Sequence, residues 1–243
     1  MKPVLVLQHL HDDGPAYFGD WLAREGVPMD LRCTEAGQDF PTDLSAHAGL
    51  AILGGSMSAN DDLPSLRRAE SLIREAVANG QPVIGHCLGG QLMARALGGQ
   101  VRRSIAPEIG WQAISPDVDA EAMAAAASDD WFGPAPWPKV FQWHFEAFSL
   151  PTGAVSLATS PACRHQAFAL GPHLAMQFHV ELDAAKLAAW SAAIGQAYVE
   201  AHARHPGCVQ SVAAMHAQAA TGLPDQHRFA ERIYRRWLAG FMV

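Results

Sequence analysis

The run Val83-Ile84-Gly85-His86-Cys87-Leu88-Gly89-Gly90-Gln91-Leu92-Met93-Ala94 constrains the chain more than any other. An apolar stretch of buried-strand character meets a helix-forming stretch with no loop between them, so Cys87 falls at the tip of a sharp strand-to-helix turn. Gly-x-Cys-x-Gly at such a turn is the nucleophile elbow pattern, with sulfur in place of a serine oxygen. Flanking glycines suit it in two ways, because they accept unusual φ/ψ values and let a substrate approach the backbone. The helix that follows presents unpaired N–H groups and the positive end of its dipole. Both favour thiolate over thiol and offer a donor to an oxyanion.

The rest of the first half repeats the strand-then-helix unit. Pro3 to Gln8 predicts a strand, Tyr17 to Glu25 a helix stopped by Gly26 and Pro28, and Met29 to Cys33 a second strand. Leu50 to Leu53 predicts another strand, ending at Gly54-Gly55, and Leu66 to Ala78 a helix closed by Asn79-Gly80. From Gln100 to about Leu174 the apolar runs shorten (Val101 to Ser104, Gln112 to Ser115, Val140 to Trp143, Val155 to Ala158, Ala167 to Leu170) and predict an antiparallel or mixed edge. Between Ala120 and Pro138 an Ala-rich stretch leads into Asp129 to Pro138, whose breakers predict a surface loop. Helices are expected over Ala184 to Ala203, about Cys208 to Ala220, and His227 to Met242. The last carries the stripe Phe229, Ile233, Trp237 and Phe241 among Arg228, Arg232, Arg235 and Arg236. Such a stripe docks on the main domain or, alternatively, serves a partner or a lid.

The expected fold is therefore α/β: a mostly parallel central sheet flanked by helices in a flavodoxin-like three-layer arrangement, with a small antiparallel edge and extra C-terminal helices. The expected domains are a catalytic domain over 1–185 and a helical extension over 186–243 packed on it. With 49% hydrophobic residues the 243-residue chain can bury a sizeable core, and a net charge of −7 argues against nucleic acid or anionic lipid as partner. Cys33, Cys87, Cys163 and Cys208 have no paired spacing and read as reduced thiols. The apolar run after Met1-Lys2-Pro3 is too short for a signal peptide core and no stretch is long enough to span a membrane, so a cytoplasmic location is expected.

A cysteine nucleophile needs a base. In Met176-Gln177-Phe178-His179-Val180-Glu181 an apolar strand ends in His-x-Glu, and the two-residue period of extended chain puts imidazole and carboxylate on one side. The carboxylate would fix the tautomer of His179 and stabilise its protonated form. The turn Gly54-Gly55-Ser56 after a buried strand can aim a second backbone N–H at an oxyanion. Trp143-His144-Phe145-Glu146 holds a further histidine and acid whose role spacing does not reveal. No metal cluster, phosphate loop or dinucleotide fingerprint is legible.

At these three segments, Gly54-Gly55-Ser56, Gly85 to Gln91 and Phe178 to Glu181, the chain resembles the class I glutamine amidotransferases, or triad glutaminases, over about residues 1 to 185. The resemblance implies Cys87 as nucleophile, His179 as its base and Glu181 as the group that holds His179. It implies an oxyanion hole from the N–H groups of Gly55 and Leu88, and substrate contacts from Gln91 and His144. The implied reaction cleaves the γ-carboxamide of glutamine through a γ-glutamyl thioester on Cys87, giving glutamate and ammonia without cofactor or metal. Glu108-Ile109-Gly110-Trp111 and Gln142 to Pro151 look like those of stand-alone members with no fused synthetase, so ammonia goes to a separate synthetase subunit or is released. The chain departs from many members in Ser56, where they carry Pro, and in Phe145-Glu146, where they carry Gly-Asp. Two alternatives stay open: a γ-glutamyl peptidase using the same triad, and a non-catalytic regulatory module with the same fold.

Overall fold

The parallel part of the sheet forms because its interior strands are buried on both faces and have helices to cover them, while a more polar strand closes the edge. In the computed structural model, which describes residues 2–117 and 122–242, an eight-stranded sheet has a definite order. Its strands are β2 (Met29–Cys33), β1 (Val4–Gln8), β3 (Gly49–Ile52), β4 (Val83–His86), β10 (His173–Met176), β9 (Ala167–Leu170), β8 (Val155–Thr159) and β6 (Ser115–Pro116). The first five pair in parallel and the last three antiparallel. The order of the first four is that of doubly wound flavodoxin-like sheets, in which ligands bind beyond the carboxyl ends of the strands. A separate two-stranded antiparallel sheet joins β5 (Val101–Gln112) to β7 (Val140–Phe148).

Strand alternation assigns the layers. Val4, Val6, Ala51, Leu174 and Met176 share a core with Phe18, Trp21 and Leu22 of α1 (Ala16–Arg24). Their neighbours Leu5, Leu7, Leu50, Ile52 and Ala175 face the other way, onto α2 (Pro64–Ala78) and α3 (Leu88–Ala96). The first layer is completed by α4 (Ala122–Phe132) and by the C-terminal half of α7 (Val212–Ala239), whose Phe229, Ile233, Tyr234 and Trp237 are buried. Each such side chain contributes about 1.5–3 kcal/mol of burial, so the C-terminal half of α7 is held firmly on the sheet. No helix among the described residues is long and apolar enough to cross a membrane.

Four local expectations differ from the structure. The helix expected over Ala184 to Ala203 is two, α5 (Ala184–Ala192) and α6 (Gln196–Arg204), because Gly195 is extended and begins the second. The two helices expected after Cys208 are one: α7 passes through Pro224, with its flanks fixed by packing at Met215 and at Phe229. Gly222 lies flat against the ring of Trp111, where a Cβ would sit 3.0 Å away. The loop expected over Asp129 to Pro138 begins only at Gly133, since burial of Trp131 and Phe132 carries α4 through the acidic pair; Ala120 lies outside the described residues. Finally, β5 is a single strand from Val101 to Gln112, because pairing with β7 resumes at Glu108 after an irregularity that leaves Ile105 exposed.

Candidate active site

Cys87 is the residue between β4 and α3, and it adopts φ +48° and ψ −105°. A non-glycine residue in that region stores about 1–3 kcal/mol of strain. The strain therefore sits on the cysteine itself, and the flanking glycines serve a different purpose. A Cβ on Gly85 would lie 2.6 Å from the carbonyl carbon of Gly89, and one on Gly89 would lie 2.2 Å from the carbonyl oxygen of Ile52. Both are required so that turn, helix and neighbouring strand can touch. The Cys87 N–H bonds to the Met176 carbonyl at 2.9 Å, which locks the elbow to β10. Its Sγ lies 3.8 Å from the Trp143 carbonyl oxygen and 3.5 Å from Nε2 of Gln177.

The same strand end delivers the imidazole. β10 stops at Met176, so His179 and Glu181 stand in the turn beyond it and are not related by a strand period. The turn is tied by bonds from the His179 N–H to Phe141 at 2.8 Å and from the Leu182 N–H to His179 at 3.3 Å. Nδ1 of His179 is 2.7 Å from Oε1 of Glu181, while Nε2 is buried and unpartnered among the described residues. Gly54 is needed here, because a Cβ would meet Asp13 Oδ2 at 2.5 Å and His179 Cε1 at 3.1 Å.

Behind Glu181 lies a buried ion-pair relay that no sequence motif announces. Nζ of Lys186 donates to Asp13 Oδ1 at 2.7 Å and to Glu181 Oε1 at 3.3 Å, and all three side chains are buried. For Glu181 and Lys186 burial disfavours the charged form, but the charges facing them outweigh it. For Glu181, the Lys186 ammonium and then His179 hold the carboxyl well below the usual carboxylate range. For Lys186, Asp13 and Glu181 raise the ammonium above its ordinary value. For His179, burial is overcome by the Glu181 carboxylate and the Cys87 sulfur, and its pKa rises to about 10. His86, buried next to the cysteine, moves the other way, to about 4, because burial dominates.

A pKa raised on folding stabilises the fold fully below the unfolded value and ceases to do so as pH rises through the folded one. The His179–Glu181 pair thus persists from acid pH to about pH 10. Imidazole NMR of the protein is expected to show no His179 titration between about pH 6 and 8.5. In Glu181→Gln the midpoint should fall into that window. A wild-type midpoint near that of free histidine would show that Glu181 does not control the ring.

Gly55, Cys87, Gln91, His144 and His179 all line one cavity of about 500 Å³ at the carboxyl ends of β1, β3, β4 and β10. Leu88 and Glu181 lie behind its wall. Gly55 abuts Leu88, since a Cβ on it would meet Leu88 Cδ2 at 2.7 Å. Among the described residues neither the Gly55 nor the Leu88 N–H is engaged in a hydrogen bond. Gln91 donates through Nε2 to the Glu146 carbonyl at 3.0 Å and to Gln177 Oε1 at 3.3 Å.

His144 turns both ring nitrogens towards protein, Nδ1 to the Glu146 carbonyl at 3.0 Å and Nε2 to Glu108 Oε2 at 3.3 Å. Together with Cys163 these side chains bring three metal-ligand types within 4.8 Å, a grouping that residues so far apart in sequence do not announce. Glu108 is already met by the Ser160 hydroxyl at 2.8 Å and by Gln166 Nε2 at 2.6 Å, which accounts for its burial without an ion. All four cysteines are free thiols.

The family model described as "Glutamine amidotransferase class-I" matches residues 17–187. The chain belongs to the class I glutamine amidotransferase family. A glutamine amidotransferase-like protein of Salmonella typhimurium, YfeJ, is 30% identical over 74% of this chain and 77% of its own length. Gamma-glutamyl peptidase 3 of Arabidopsis thaliana is 27% identical over 68% of each chain. One subunit of the glutamine-hydrolyzing GMP synthase of Saccharolobus solfataricus is 31% identical over 53% of this chain and 64% of its own. A crystal structure of a glutamine amidotransferase from Methylobacillus flagellatus superposes with a TM-score of 0.91 at 36% identity, covering 99% of this chain and 95% of that one.

Proposed function

We propose that the chain hydrolyses γ-glutamyl amides, glutamine being the simplest, through a thioester on Cys87. The supporting observation is the unpartnered Nε2 of His179, which shares a cavity with Cys87 while Nδ1 is held at 2.7 Å by Glu181. In this reading the sulfur attacks the γ-carbonyl carbon and the negative oxygen that develops is met by the N–H groups of Gly55 and Leu88. Each donor is worth about 3 kcal/mol of barrier. His179 passes the thiol proton to the departing amine, and water then cleaves the thioester to the free γ-carboxylate. Four unpaired thiols suit a reducing compartment, and we place the reaction in the cytoplasm. Likeness to one chain of a GMP synthase supports delivery of ammonia to a separate synthetase chain.

A second reading, a γ-glutamyl peptidase, is favoured by the size of the cavity, about 500 Å³, which is more than glutamine fills. It uses the same thioester and expels a larger amine. The test measures ammonia release from glutamine and amine release from γ-glutamyl dipeptides, with labelling by a glutamine-like electrophile. We expect turnover, and an adduct on Cys87 alone that disappears in His179→Ala. No turnover, with label spread over all four thiols, would make the chain a binding module.

A further inference from the structure

The cavity is polar at one end and aromatic at the other. Ser58, Gln91, Arg103 and Glu146 make the polar end, where the Ser58 hydroxyl donates to Glu146 Oε2 at 2.7 Å and Arg103 sits across the β5–β7 pair from Glu146. This end matches the ammonium and carboxylate of a glutamyl group. At the other end Trp143 and Trp190 lie edge to face, with ring centres 5.7 Å apart, and Ala193 and Ala197 leave space at the break between α5 and α6. Both tryptophans are only half-buried.

The aromatic end is where the leaving group must go. An amine expelled from the γ-carbon takes its proton from His179 Nε2 and so departs beside that ring. Trp190 packs edge-on against His179 at 4.8 Å, and the Trp143 carbonyl is the group 3.8 Å from the attacking sulfur. Both indoles are held in place by hydrogen bonding or stacking. Trp190 donates its N–H to the Asp12 carbonyl at 3.2 Å, and Trp143 stacks on Tyr198, whose hydroxyl donates to the Gln210 carbonyl at 2.8 Å. A wall fixed in advance loses little entropy on binding. Ammonia would leave these faces in water.

We infer that the preferred substrates are γ-glutamyl amides whose leaving amine carries an aromatic group, seated against Trp143 and Trp190. The inference rests on the hydrolase reading above and narrows it to a substrate class. The step balances: the bond from sulfur to the γ-carbon forms, the C–N bond breaks, the amine leaves with the His179 proton, and water restores the thiol.

The experiment compares γ-glutamyl-2-phenylethylamide with γ-glutamylethylamide and glutamine. The first two expel alkylamines of similar basicity and differ in the ring alone. Wild-type kcat/KM should favour the phenylethylamide over the ethylamide by about tenfold or more. Trp143→Ala should bring that ratio within about twofold of one, and Trp143→Phe should keep most of it. Because the ratio is taken within one sample, any loss of folded protein cancels. A wild-type ratio near one, with turnover of all three compounds, overturns the inference and leaves the hydrolase standing. A high ratio untouched by both Trp143→Ala and Trp190→Ala overturns the assignment to this wall. No turnover of any of the three overturns both readings.

Discussion

Cys87→Ser is expected to lower kcat/KM about a thousandfold or more while moving the thermal midpoint by less than about 4 °C. The small stability effect follows from the geometry. Cys87 is 6% exposed, and its Sγ lies 3.8 Å from a carbonyl oxygen and 3.5 Å from an amide nitrogen. A hydroxyl of nearly the same size can donate to the first and accept from the second. The backbone strain at φ +48° is unchanged, because it belongs to any residue with a Cβ. The activity effect follows from chemistry, since a serine hydroxyl at this site lacks the easily formed anion that a His179 imidazolium can hold. Residual turnover would come from the backbone donors and substrate binding. A serine variant within tenfold of wild type would remove Cys87 as nucleophile.

Much of this arrangement was legible because the relevant signals are local. The strands β1 to β4 and the helices α1 and α2 are punctuated by glycine, proline and asparagine close to their true ends, and the elbow around Cys87 is written in five consecutive residues. Elements decided by distant contacts were not legible. Pro107 and Gly110 interrupt any strand pattern over 101–112, yet β7 pairs with both ends of it. Pro224 marks a break, yet α7 continues through it, packed on Trp111 before it and on the sheet after it. Within the site, Gly55, Cys87, His179 and Glu181 each carry a nearby cue. Lys186 carries none, since a lysine in a helix's first turn normally reads as a solvated side chain. Only folding places it against an aspartate 173 positions away.

Lys186→Met is expected to destabilise the fold by about 3–5 kcal/mol, read from the denaturant midpoint, even though methionine fills nearly the same volume. The substitution leaves the Asp13 and Glu181 carboxylates buried, at 6% and 0% side-chain exposure, without the ammonium that lay 2.7 Å and 3.3 Å from them. Asp13→Asn in the same chain should restore part of the loss, because it removes one of the two stranded charges. The pH dependence separates this relay from mere packing. Glu181 is held below its ordinary pKa in the fold, so its charge stabilises above the unfolded value, and this stabilisation is lost as pH falls through the folded one. Removing Lys186 takes away the largest influence holding that pKa down. The acid midpoint of unfolding and the acid limb of kcat/KM should then both move to higher pH, because a protonated Glu181 no longer sustains the imidazolium of His179. Unchanged acid midpoints, together with strictly additive effects of Asp13→Asn and Lys186→Met, would show that Lys186 only fills space and that Glu181 is tuned by His179 alone.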